Sequence, residues 1–318
     1  MERNLALELV RVTEAAALAS ARWMGKGDGE AADRAARDAV TVVMRSIKMN
    51  ARIVIGADES APAPPSKKAH AKSGEVPDVD VAVDALQSLD SVAFGRPYAI
   101  ATIAVSSTDS FLAPPVPYMS KIAVGPEAAG CIDIKASALD NLVNIADAKR
   151  CYVEDLTVCI LDRDRHRALI DDVRSAGARI QLISDGDLTA MLATTVASSG
   201  IDVVMGIGGS AEGVLAAAAL KCVGGDIQAR FHPRDEAEAD ALRAAGFARK
   251  DRVLRAGDLV RGENAMFAAT GVTNSDVLKG VQFVPGGAVT HSIVMRSKSG
   301  TVRQITAHHH FDRKPVYK

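Results

Sequence analysis

The fold is indicated most clearly by the stretch Val204-Met205-Gly206-Ile207-Gly208-Gly209-Ser210-Ala211-Glu212-Gly213-Val214. An apolar run over residues 200–205 predicts a buried strand, and residues 214–221 predict the helix that follows it. The glycines between them predict a turn whose backbone can approach a ligand closely, with helix-start amides facing an anion such as phosphate. Such a stretch can present Glu212 as a metal ligand, but it can equally be a plain strand-to-helix turn with a solvated glutamate.

The length and composition predict a folded protein with two lobes. The chain has 318 residues, of which 48% are hydrophobic, and single cores rarely grow beyond ~250 to 300 residues. We expect an N-terminal α+β lobe over residues 1–155 that carries most of the acidic candidates for a metal site. The C-terminal α/β lobe, residues 156–318, would carry the substrate-binding candidates and Glu212.

The charge balance excludes an extended basic surface. Lys and Arg total 38 against 39 Asp and Glu, so we expect neither a nucleic-acid nor a membrane partner, and any anion site must be local. The N-terminus lacks a signal pattern, and no apolar run reaches the ~20 residues that a membrane helix needs. The cysteines, Cys131, Cys151, Cys159 and Cys222, lack C-x-x-C spacing. They predict reduced core residues, and hence a soluble, cytoplasmic protein.

The N-terminal part of the chain predicts two helices. Apolar residues recur at three- and four-residue spacing over residues 3–23, which is typical of an amphipathic helix. A second helix is predicted over residues 31–47, with Asp33 in its first turn. An acidic residue at that place can simply complement the helix dipole.

Strands are then predicted over residues 52–55, 79–84 and 98–105. The first leads through Gly56 to Asp58 and Glu59, and the second ends at Asp84. Residues 60–78 contain several prolines and basic residues, which predict a mobile surface loop.

The second half alternates between strand and helix patterns. Strands are predicted near 121–124, 156–161, 179–183 and 202–206, and helices near 165–176, 187–197 and 213–221. This alternation predicts a layered α/β arrangement with a partly parallel sheet. Final strands near 281–284, 291–296 and 301–306 predict an antiparallel meander.

Four acidic residues stand at the ends of these predicted elements. Glu59, Asp84 and Glu212 follow apolar strands, and Asp33 opens a helix. Hard divalent cations such as Mg²⁺ or Mn²⁺ bind several carboxylate oxygens together with water and substrate phosphate. The four acids can therefore form a shared metal site, or each can have a separate structural role.

Several short motifs, in order from Met1 to about Arg313, resemble the class II fructose-1,6-bisphosphatases. They are RVTEAAAL at 11–18, GKGD at 25–28 with Ala32-Asp33, IVIG at 53–56, VAVD at 81–84, Tyr118-Met119 with Lys121, VGP at 124–126, DGD at 185–187, GIGG at 206–209 with Glu212-Gly213, and FAATGVT at 267–273. Each motif alone is common, whereas their collinear order is specific.

The resemblance implies an α/β sugar-phosphatase fold of alternating helix and sheet layers. It also implies a divalent cation, Mn²⁺ or Mg²⁺, and hydrolysis of the 1-phosphate of fructose 1,6-bisphosphate, a reaction of gluconeogenesis. A homo-oligomer, dimer or tetramer, is implied as well. Asp33, Asp84 and Glu212 match the family's metal ligands. The positions that match its substrate contacts are Tyr118, Arg163, Arg165, Asp185, Asp187 and Gly209.

The chemistry of these substrate positions agrees with the roles that the resemblance implies. Arg163 and Arg165 would hold the non-reacting phosphate through bidentate hydrogen bonds. Asp185 and Asp187 would accept hydrogen bonds from sugar hydroxyls. The alternative is that these residues form surface ion pairs and a helix cap.

The chain departs from the family at two motifs. Where the family has Gly-Glu-Gly-Glu, this chain has Gly56-Ala57-Asp58-Glu59, so a metal-binding glutamate is missing at Ala57. Asp58 could stand in from the next position, beside Glu59. Where the family has Asp-Pro-Ile/Leu-Glu-Gly-Thr, this chain has Asp84-Ala85-Leu86-Gln87-Ser88-Leu89. A metal-binding glutamate has become Gln87, and no catalytic residue is assigned because the family's threonine position is Leu89.

These departures leave two functions open. The first is a phosphatase with a weakened or rebuilt site, or with a changed sugar-phosphate substrate, because lost carboxylates and a lost hydroxyl impair metal-dependent phosphoryl transfer. The second is a non-catalytic family member that binds sugar phosphate as a regulatory or assembly partner. A third idea, a metal site at residues 308–310, requires a turn, since consecutive histidines on a strand alternate between its faces. A solvated C-terminal edge is the alternative there.

Overall fold

Two β-sheets and the helices that cover them form the part of the chain that the computed structural model describes, residues 5–56, 77–247, 249 and 251–313. The helices are α1 (Leu5–Ala21), α2 (Gly29–Met44), α3 (Leu89–Ala93), α4 (Ala138–Lys149), α5 (Arg167–Ser175), α6 (Asp187–Ala193), α7 (Ser210–Val223), α8 (Glu236–Ala244) and α9 (Ala256–Leu259). The strands are β1 (Asn50–Ile55), β2 (Asp78–Gln87), β3 (Ile100–Ser107), β4 (Tyr118–Val124), β5 (Thr157–Leu161), β6 (Arg179–Ile183), β7 (Val203–Gly209), β8 (Asp226–Phe231), β9 (Leu254–Arg255), β10 (Met266–Gly271), β11 (Gln282–Val284), β12 (Gly287–Arg296) and β13 (Thr301–His310). The mixed α/β class agrees with the layered fold that the sequence predicts.

The chain divides into two units that differ from the lobes expected at residue 155. Unit 1 comprises Met1–Phe111 together with Gly262–Lys318, and unit 2 comprises Leu112–Arg261. The reason for the difference lies in strand pairing. The strand β10 pairs with β3, so that Met266 lies opposite Val105, and the C-terminal segment therefore belongs to the first sheet.

Unit 1 contains a mixed sheet with the strand order β1-β2-β3-β10-β12-β11, and β13 also pairs with β12. The helix α1 packs on β3, β10 and β12, and buries Leu9, Val12 and Ala16 completely, which confirms the amphipathic pattern. The helix α2 begins earlier than predicted, because the Asp28 side chain accepts a hydrogen bond from the Ala31 amide and caps it. Asp33 was predicted in the first turn of this helix, but it lies in the second turn.

The prediction that Asp84 ends a strand is wrong. The strand β2 continues to Gln87, because a bulge lets it keep pairing with β3: Asp84 lies opposite Thr102 and Gln87 lies opposite Ile100. The strand predicted at 52–55 is confirmed as β1. Asp58 and Glu59, with nearly all of the predicted loop 60–78, lie outside the described residues.

The predicted C-terminal meander is confirmed. The strand β12 pairs antiparallel with both β11 and β13. Strand β13 runs on to His310, so that residues 308–310 lie in one continuous strand without a turn. The rings therefore alternate between the two faces, and His309 Nε2 lies 2.7 Å from Thr290 Oγ1.

Unit 2 contains a partly parallel sheet, as the alternation predicts. Its strand order is β6-β5-β7-β4-β8-β9, in which β5 runs parallel to β6 and β7, and β4 runs antiparallel to β7 and β8. Buried residues of α4 and β5, such as Leu142, Ile145 and Val158, belong to one hydrophobic cluster on this sheet. The sheet provides a rigid support for the loops at its edge.

The glycines of the stretch 204–214 do not form the predicted turn. The strand β7 extends through them to Gly209, and α7 begins at the next residue, Ser210. Sequence reasoning predicts turns from glycine, whereas here the missing side chains make room for neighbouring side chains within a strand.

Two predictions on the chain as a whole can be compared with the structure. The described residues contain no helix that is long and apolar enough to cross a membrane. None of the four cysteines forms a disulfide bond in the described structure, which agrees with the prediction that they are reduced. Cys159 and Cys222 are buried core residues, whereas Cys131 and Cys151 are only partly buried.

Candidate active site

One edge of the unit 2 sheet collects all the residues predicted to contact substrate. In chain order, after Tyr118, they are Arg163 and Arg165 after β5, Asp185 and Asp187 after β6, and Gly209 at the end of β7, close to the predicted metal ligand Glu212 in α7. The strands β5, β6 and β7 are parallel, so their carboxyl ends meet at this edge. Because β4 is antiparallel to β7, it begins there, and Tyr118 lies opposite Gly209. Ligands of open α/β sheets bind at such carboxyl ends.

Lys121 connects two of these strand ends from inside the sheet. Its side chain is only 3% exposed, and its Nζ donates to Asp187 Oδ2 at 2.6 Å and to the Gly209 carbonyl oxygen at 2.8 Å. A buried ammonium group needs such partners, because burying an unpaired charge costs on the order of several kcal/mol of folding free energy. The pair therefore fixes the position of Asp187 relative to the end of β7.

Gly208 and Gly209 have no space for a side chain. A Cβ at position 208 would overlap the Asp187 carboxylate and lie 2.9 Å from Lys121 Nζ, and one at position 209 would overlap the Glu212 carboxylate. The glycine pair thus allows two carboxylates to approach the main chain of β7 closely. This close approach, rather than a turn, explains why the sequence has glycine at these positions.

Glu212 is a half-buried residue in the first turn of α7. Burial raises the pKa of its carboxyl, the nearby Asp187 carboxylate raises it further, and the Lys121 ammonium partly offsets both. A positive charge placed next to Glu212 would favour the ionised form. The Glu212 carboxylate also lies close to the main chain of Gly209, so it is not a fully solvated side chain.

His166 ties the end of β5 to β7. The Nδ1 atom lies 2.7 Å from the Leu161 carbonyl oxygen, and Nε2 accepts a hydrogen bond of 2.7 Å from the Ile207 amide. An imidazole with this pair of partners is neutral, with its proton on Nδ1. Burial lowers the pKa of His166, which agrees with the neutral form. The histidine holds the arginine-bearing loop beside the glycine strand.

Arg163 and Arg165 bond to main-chain oxygens. Arg163 Nη1 donates to the Asp162 carbonyl oxygen at 3.0 Å, and Arg165 Nη2 donates to the Ile207 carbonyl oxygen at 2.9 Å. Asp164 pairs with Arg167 instead. Within the described ranges neither Arg163 nor Arg165 forms an ion pair, so the surface-ion-pair alternative does not account for them. Their positive charges remain available to an anion.

Asp185 and Asp187 have different surroundings. Asp185 Oδ1 accepts a hydrogen bond of 2.8 Å from the Gly186 amide, directly before α6. Asp187 is the first residue of α6 and faces Lys121. The N-cap residue of α6 is Gly186, so neither Asp185 nor Asp187 is the capping residue of this helix.

Comparison with known proteins identifies the family. The model of the bacterial fructose-1,6-bisphosphatases, glpX-encoded, matches residues 3–309. The chain belongs to this family. A relative from Thermosynechococcus vestitus, named D-fructose 1,6-bisphosphatase class 2/sedoheptulose 1,7-bisphosphatase, is 38% identical over 340 residues, covering 99% of this chain and 98% of the relative.

Two further relatives of this bisphosphatase family carry the same name. The protein of Microcystis aeruginosa is 37% identical over 342 residues, covering 100% of this chain and 99% of the relative. The protein of Synechococcus elongatus is 37% identical over 337 residues, covering 98% of each. The family consists of sugar bisphosphatases, which are phosphoric monoester hydrolases, and it implies a divalent metal requirement in general.

The family's other ligand positions lie in unit 1. Asp33 is in α2, and its carboxylate forms an ion pair of 2.8 Å with Arg37, one turn further along. Asp84 is a partly buried residue of β2, three residues before the buried Gln87. Gly56 follows β1, whose last residue, Ile55, lies opposite Ala82 of β2. Gly56 therefore lies beside β2, the strand that carries Asp84, and Ala57 and Asp58 lie outside the described residues.

The segment after Gln87 has an unusual backbone. Ser88 has φ +68° and ψ +61°, a left-handed conformation that favours glycine, and the family motif has glycine at this position. The side chain is buried, and its Oγ has no hydrogen-bond partner among the described residues. Leu89 begins α3 and lies close to Gly29, at the start of α2. An apolar side chain thus occupies the position of the family's threonine hydroxyl.

The oxygen donors that remain suit the family's cation in kind but not in charge. Asp33 and Asp84 offer carboxylates and Gln87 offers an amide oxygen, all of which are ligands for hard divalent cations. Ala57 and Gln87 remove two negative charges relative to the family motif, and Arg37 offsets the charge of Asp33. Among residues 5–56, 77–247 and 251–313, no three His, Cys, Asp or Glu side chains form a group that could hold a metal ion.

Lys121 and His166 are not among the residues that the sequence predicts to bind substrate or metal. Each carries a signal that could have revealed it: Lys121 is a charged residue within an otherwise apolar strand, and His166 follows two arginines at a strand end. A buried lysine requires an anionic partner, but the sequence does not show which acid supplies it.

Proposed function

We propose that the chain is a sugar bisphosphatase that hydrolyses the 1-phosphate of fructose 1,6-bisphosphate with the help of Mg²⁺ or Mn²⁺. The observation that supports this most strongly is the edge of unit 2, where Lys121 joins Asp187 to the end of β7 beside two arginines that have no acidic partner in the described residues. Phosphate recognition needs available guanidinium groups and a rigid frame, and this edge has both.

The substrate residues keep the roles that the family implies. Arg163 and Arg165 would bind the non-reacting phosphate, and Tyr118 would lie beside it. Asp185 would accept hydrogen bonds from sugar hydroxyls, and Asp187 would do so with its remaining lone pairs while Lys121 holds it. Gly209 would contact the sugar through its main chain, while its missing side chain makes room for the Glu212 carboxylate.

Asp33, Asp84 and Glu212 are the residues that would hold the cation. A divalent cation, when bound, neutralises developing charge on the phosphoryl group and activates water. With Gln87 in place of a glutamate, the protein would hold that charge less tightly than the family motif does. Leu89 provides no hydroxyl for the phosphate or the water, so we expect slow turnover.

Binding without hydrolysis is the second candidate function. It is favoured by the segment 87–89, where Gln87, the left-handed Ser88 and the apolar Leu89 replace groups that serve hydrolysis rather than binding. The residues predicted to bind the sugar phosphate are all retained in unit 2. Such a protein would act as a regulatory or assembly partner that senses sugar phosphate.

Phosphate release from purified protein tests the two candidates. Fructose 1,6-bisphosphate and sedoheptulose 1,7-bisphosphate are compared, each with Mg²⁺ or Mn²⁺ and each with a Glu212→Ala control. Cation-dependent release that the control abolishes supports the phosphatase. Absence of release together with calorimetric binding of either sugar supports the binding protein, and absence of both contradicts the proposal.

The homo-oligomer and the localisation implied by the family are part of the proposal. Light scattering on the purified protein should show a dimer or tetramer, and a monomer at micromolar concentration would contradict this point. A cytoplasmic location is checked by fractionation of the source cells.

A further inference from the structure

We propose that Arg234 is a third guanidinium of the phosphate site and makes it selective for sugars with a phosphate distant from the one that is hydrolysed. This inference rests on the proposed function, because it concerns the same edge of unit 2. Arg234 is not among the residues that the sequence predicts to bind substrate or metal. Four observations carry it: its place after β8, its contact with Tyr118, its fixed orientation and the local charge.

The first observation is the place of Arg234 at the common edge. The strand β8 pairs antiparallel with β4, with Phe231 opposite Met119, and the His232 amide donates to the Tyr118 carbonyl oxygen at 2.9 Å. The strand β8 therefore ends where β4 begins. Arg234 follows three residues after the end of β8, in the same way that Arg163 and Arg165 follow β5. The loop after β8 is thus one more strand-end loop of the candidate site.

The second observation is that two arginines share one tyrosine ring. The Cζ atoms of Arg165 and Arg234 lie 5.6 Å and 5.3 Å from the centroid of the Tyr118 ring. Aromatic faces attract guanidinium groups at this distance. Arg165 comes from the β5 loop and Arg234 from the β8 loop, so Tyr118 brings two cations from separate loops to one place. Tyr118 is itself predicted to contact the substrate.

The third observation is that Glu238 holds Arg234 in one orientation. Arg234 Nε donates to Glu238 Oε1 at 2.7 Å, and the Arg234 amide donates to Glu238 Oε2 at 2.8 Å. These bonds lower the pKa of Glu238, so its carboxylate is ionised. They engage the Nε edge of the guanidinium, while Nη1 makes no hydrogen bond within the described part of the chain. A guanidinium group that is held in one orientation and has N–H donors without partners can donate hydrogen bonds to a phosphate oxygen.

The fourth observation is the charge of the cluster. Arg163, Arg165 and Arg234 supply three positive charges, and Glu238 is the one carboxylate that pairs with any of them among the described residues. Arg165 and Arg234 lie at the same tyrosine and only Arg234 has a carboxylate partner, so a bound anion would compensate the excess of positive charge there. The chain as a whole has a net charge of -1, so this excess is local.

An arginine within α8, the helix that follows Arg234, supplies the matched control. Arg243 in α8 pairs with both Glu236 and Asp240, so its charge is compensated. It contacts no aromatic ring in the described structure. If Arg234 were only a surface ion pair at the start of α8, its replacement would behave like that of Arg243.

The test compares ligands that differ only in the distant phosphate. Calorimetry measures binding of fructose 1,6-bisphosphate, fructose 6-phosphate and fructose 1-phosphate to the full chain and to Arg234→Gln, Arg243→Gln and Glu238→Gln. Thermal unfolding of each variant shows that it is folded. For Arg234→Gln we expect about 10-fold weaker binding of the two sugars that carry a 6-phosphate, because one charged hydrogen-bond donor is lost. Binding of fructose 1-phosphate should change less than about twofold.

The controls separate binding from positioning. Arg243→Gln should leave all three affinities unchanged. Glu238→Gln should weaken binding of the 6-phosphate sugars by a smaller factor, because Arg234 stays charged but is no longer held in place. If turnover is measurable, Arg234→Gln should raise KM for fructose 1,6-bisphosphate and leave kcat unchanged, which a general structural defect would not do.

Two results would overturn the inference, and they differ from failure of the proposed function. If the full chain binds fructose 1,6-bisphosphate and Arg234→Gln binds it equally well, Arg234 is an ion pair only and the proposed function still stands. Equal weakening for fructose 1-phosphate would remove the selectivity for the distant phosphate. If the unaltered protein binds none of the three sugars, both proposals fall.

Discussion

The sheet edge of unit 2 has paired charged side chains, whereas the segment 84–89 of unit 1 has a residue with a strained backbone. Each region also has a buried serine hydroxyl without a partner in the described residues, Ser210 and Ser88. At the edge, Lys121 has two close acceptors and His166 uses both ring nitrogens. In the segment, Ser88 combines a left-handed backbone with a buried hydroxyl that has no partner in the described residues. The comparison separates a region of paired side chains, which carries the predicted substrate residues, from a strained segment, which carries the departures from the family motif.

Replacement of Lys121 is expected to lower the unfolding free energy more than the other substitutions do, if the polar side chains at the sheet edge of unit 2 form one connected network. Lys121→Ala leaves Asp187 buried without its partner, which typically costs about 3 to 5 kcal/mol of unfolding free energy. Urea unfolding measures the loss. Lys149→Ala is the matched control, since Lys149 also pairs with an aspartate, Asp202, at 2.6 Å, but its side chain is 23% exposed. A loss no larger for Lys121→Ala than for the control would contradict the network.

Restoring the family motif in unit 1 tests whether the altered segment limits catalysis. The variant Ala57→Glu, Gln87→Glu, Ser88→Gly and Leu89→Thr returns two carboxylates and a hydroxyl to the positions where the family has them. We expect kcat to rise about 100-fold, because single groups of this kind contribute about 2.7 to 4 kcal/mol to catalysis. Phosphate release with Mg²⁺ or Mn²⁺ measures it. Unchanged kcat in a folded variant would show that these four positions are not the defect.

Ser88→Gly alone tests whether the segment is strained. Glycine adopts the left-handed conformation freely and removes the unpaired hydroxyl, so we expect about 1 kcal/mol of added stability after the entropy cost of glycine. Ser88→Ala is the control, because it removes the hydroxyl but keeps the side chain that disfavours this backbone. Both are compared with the unaltered chain by urea unfolding. If Ser88→Ala stabilises as much as Ser88→Gly, the hydroxyl and not the backbone is responsible.

A smaller, pH-dependent effect is expected at His166. Because the folded protein lowers the pKa of His166 below 6.5, its contribution to stability is fully present above pH 6.5 and is lost as the pH falls towards the lowered value. Protonation would also break the bond from the Ile207 amide to Nε2. Melting temperatures between pH 7.5 and pH 5.5 should therefore fall less steeply for His166→Gln. His308→Gln, at an exposed strand position, should keep the slope of the unaltered protein.

Local patterns in the sequence predicted the elements well. The three- and four-residue spacing of Leu9, Val12 and Ala16 gave α1, and the alternation of the last strands gave the meander of β11 to β13. These predictions succeed because a helix or a strand displays its buried face at a fixed period along the chain. The family motifs predict which residues carry the chemistry, and the activity measurements above test that prediction.

The sequence by itself determined the α/β class, the family and the residue types of the candidate site. Only the tertiary structure decided that β10 returns to β3, and hence where the units divide. It also decided that Lys121 meets Asp187, 66 residues away, that the glycines of β7 make room for carboxylates, and that Arg234 lies against Tyr118. The physical reason is that period and propensity act between neighbours along the chain. Contacts between distant residues depend instead on strand order and register, which no short stretch of sequence contains.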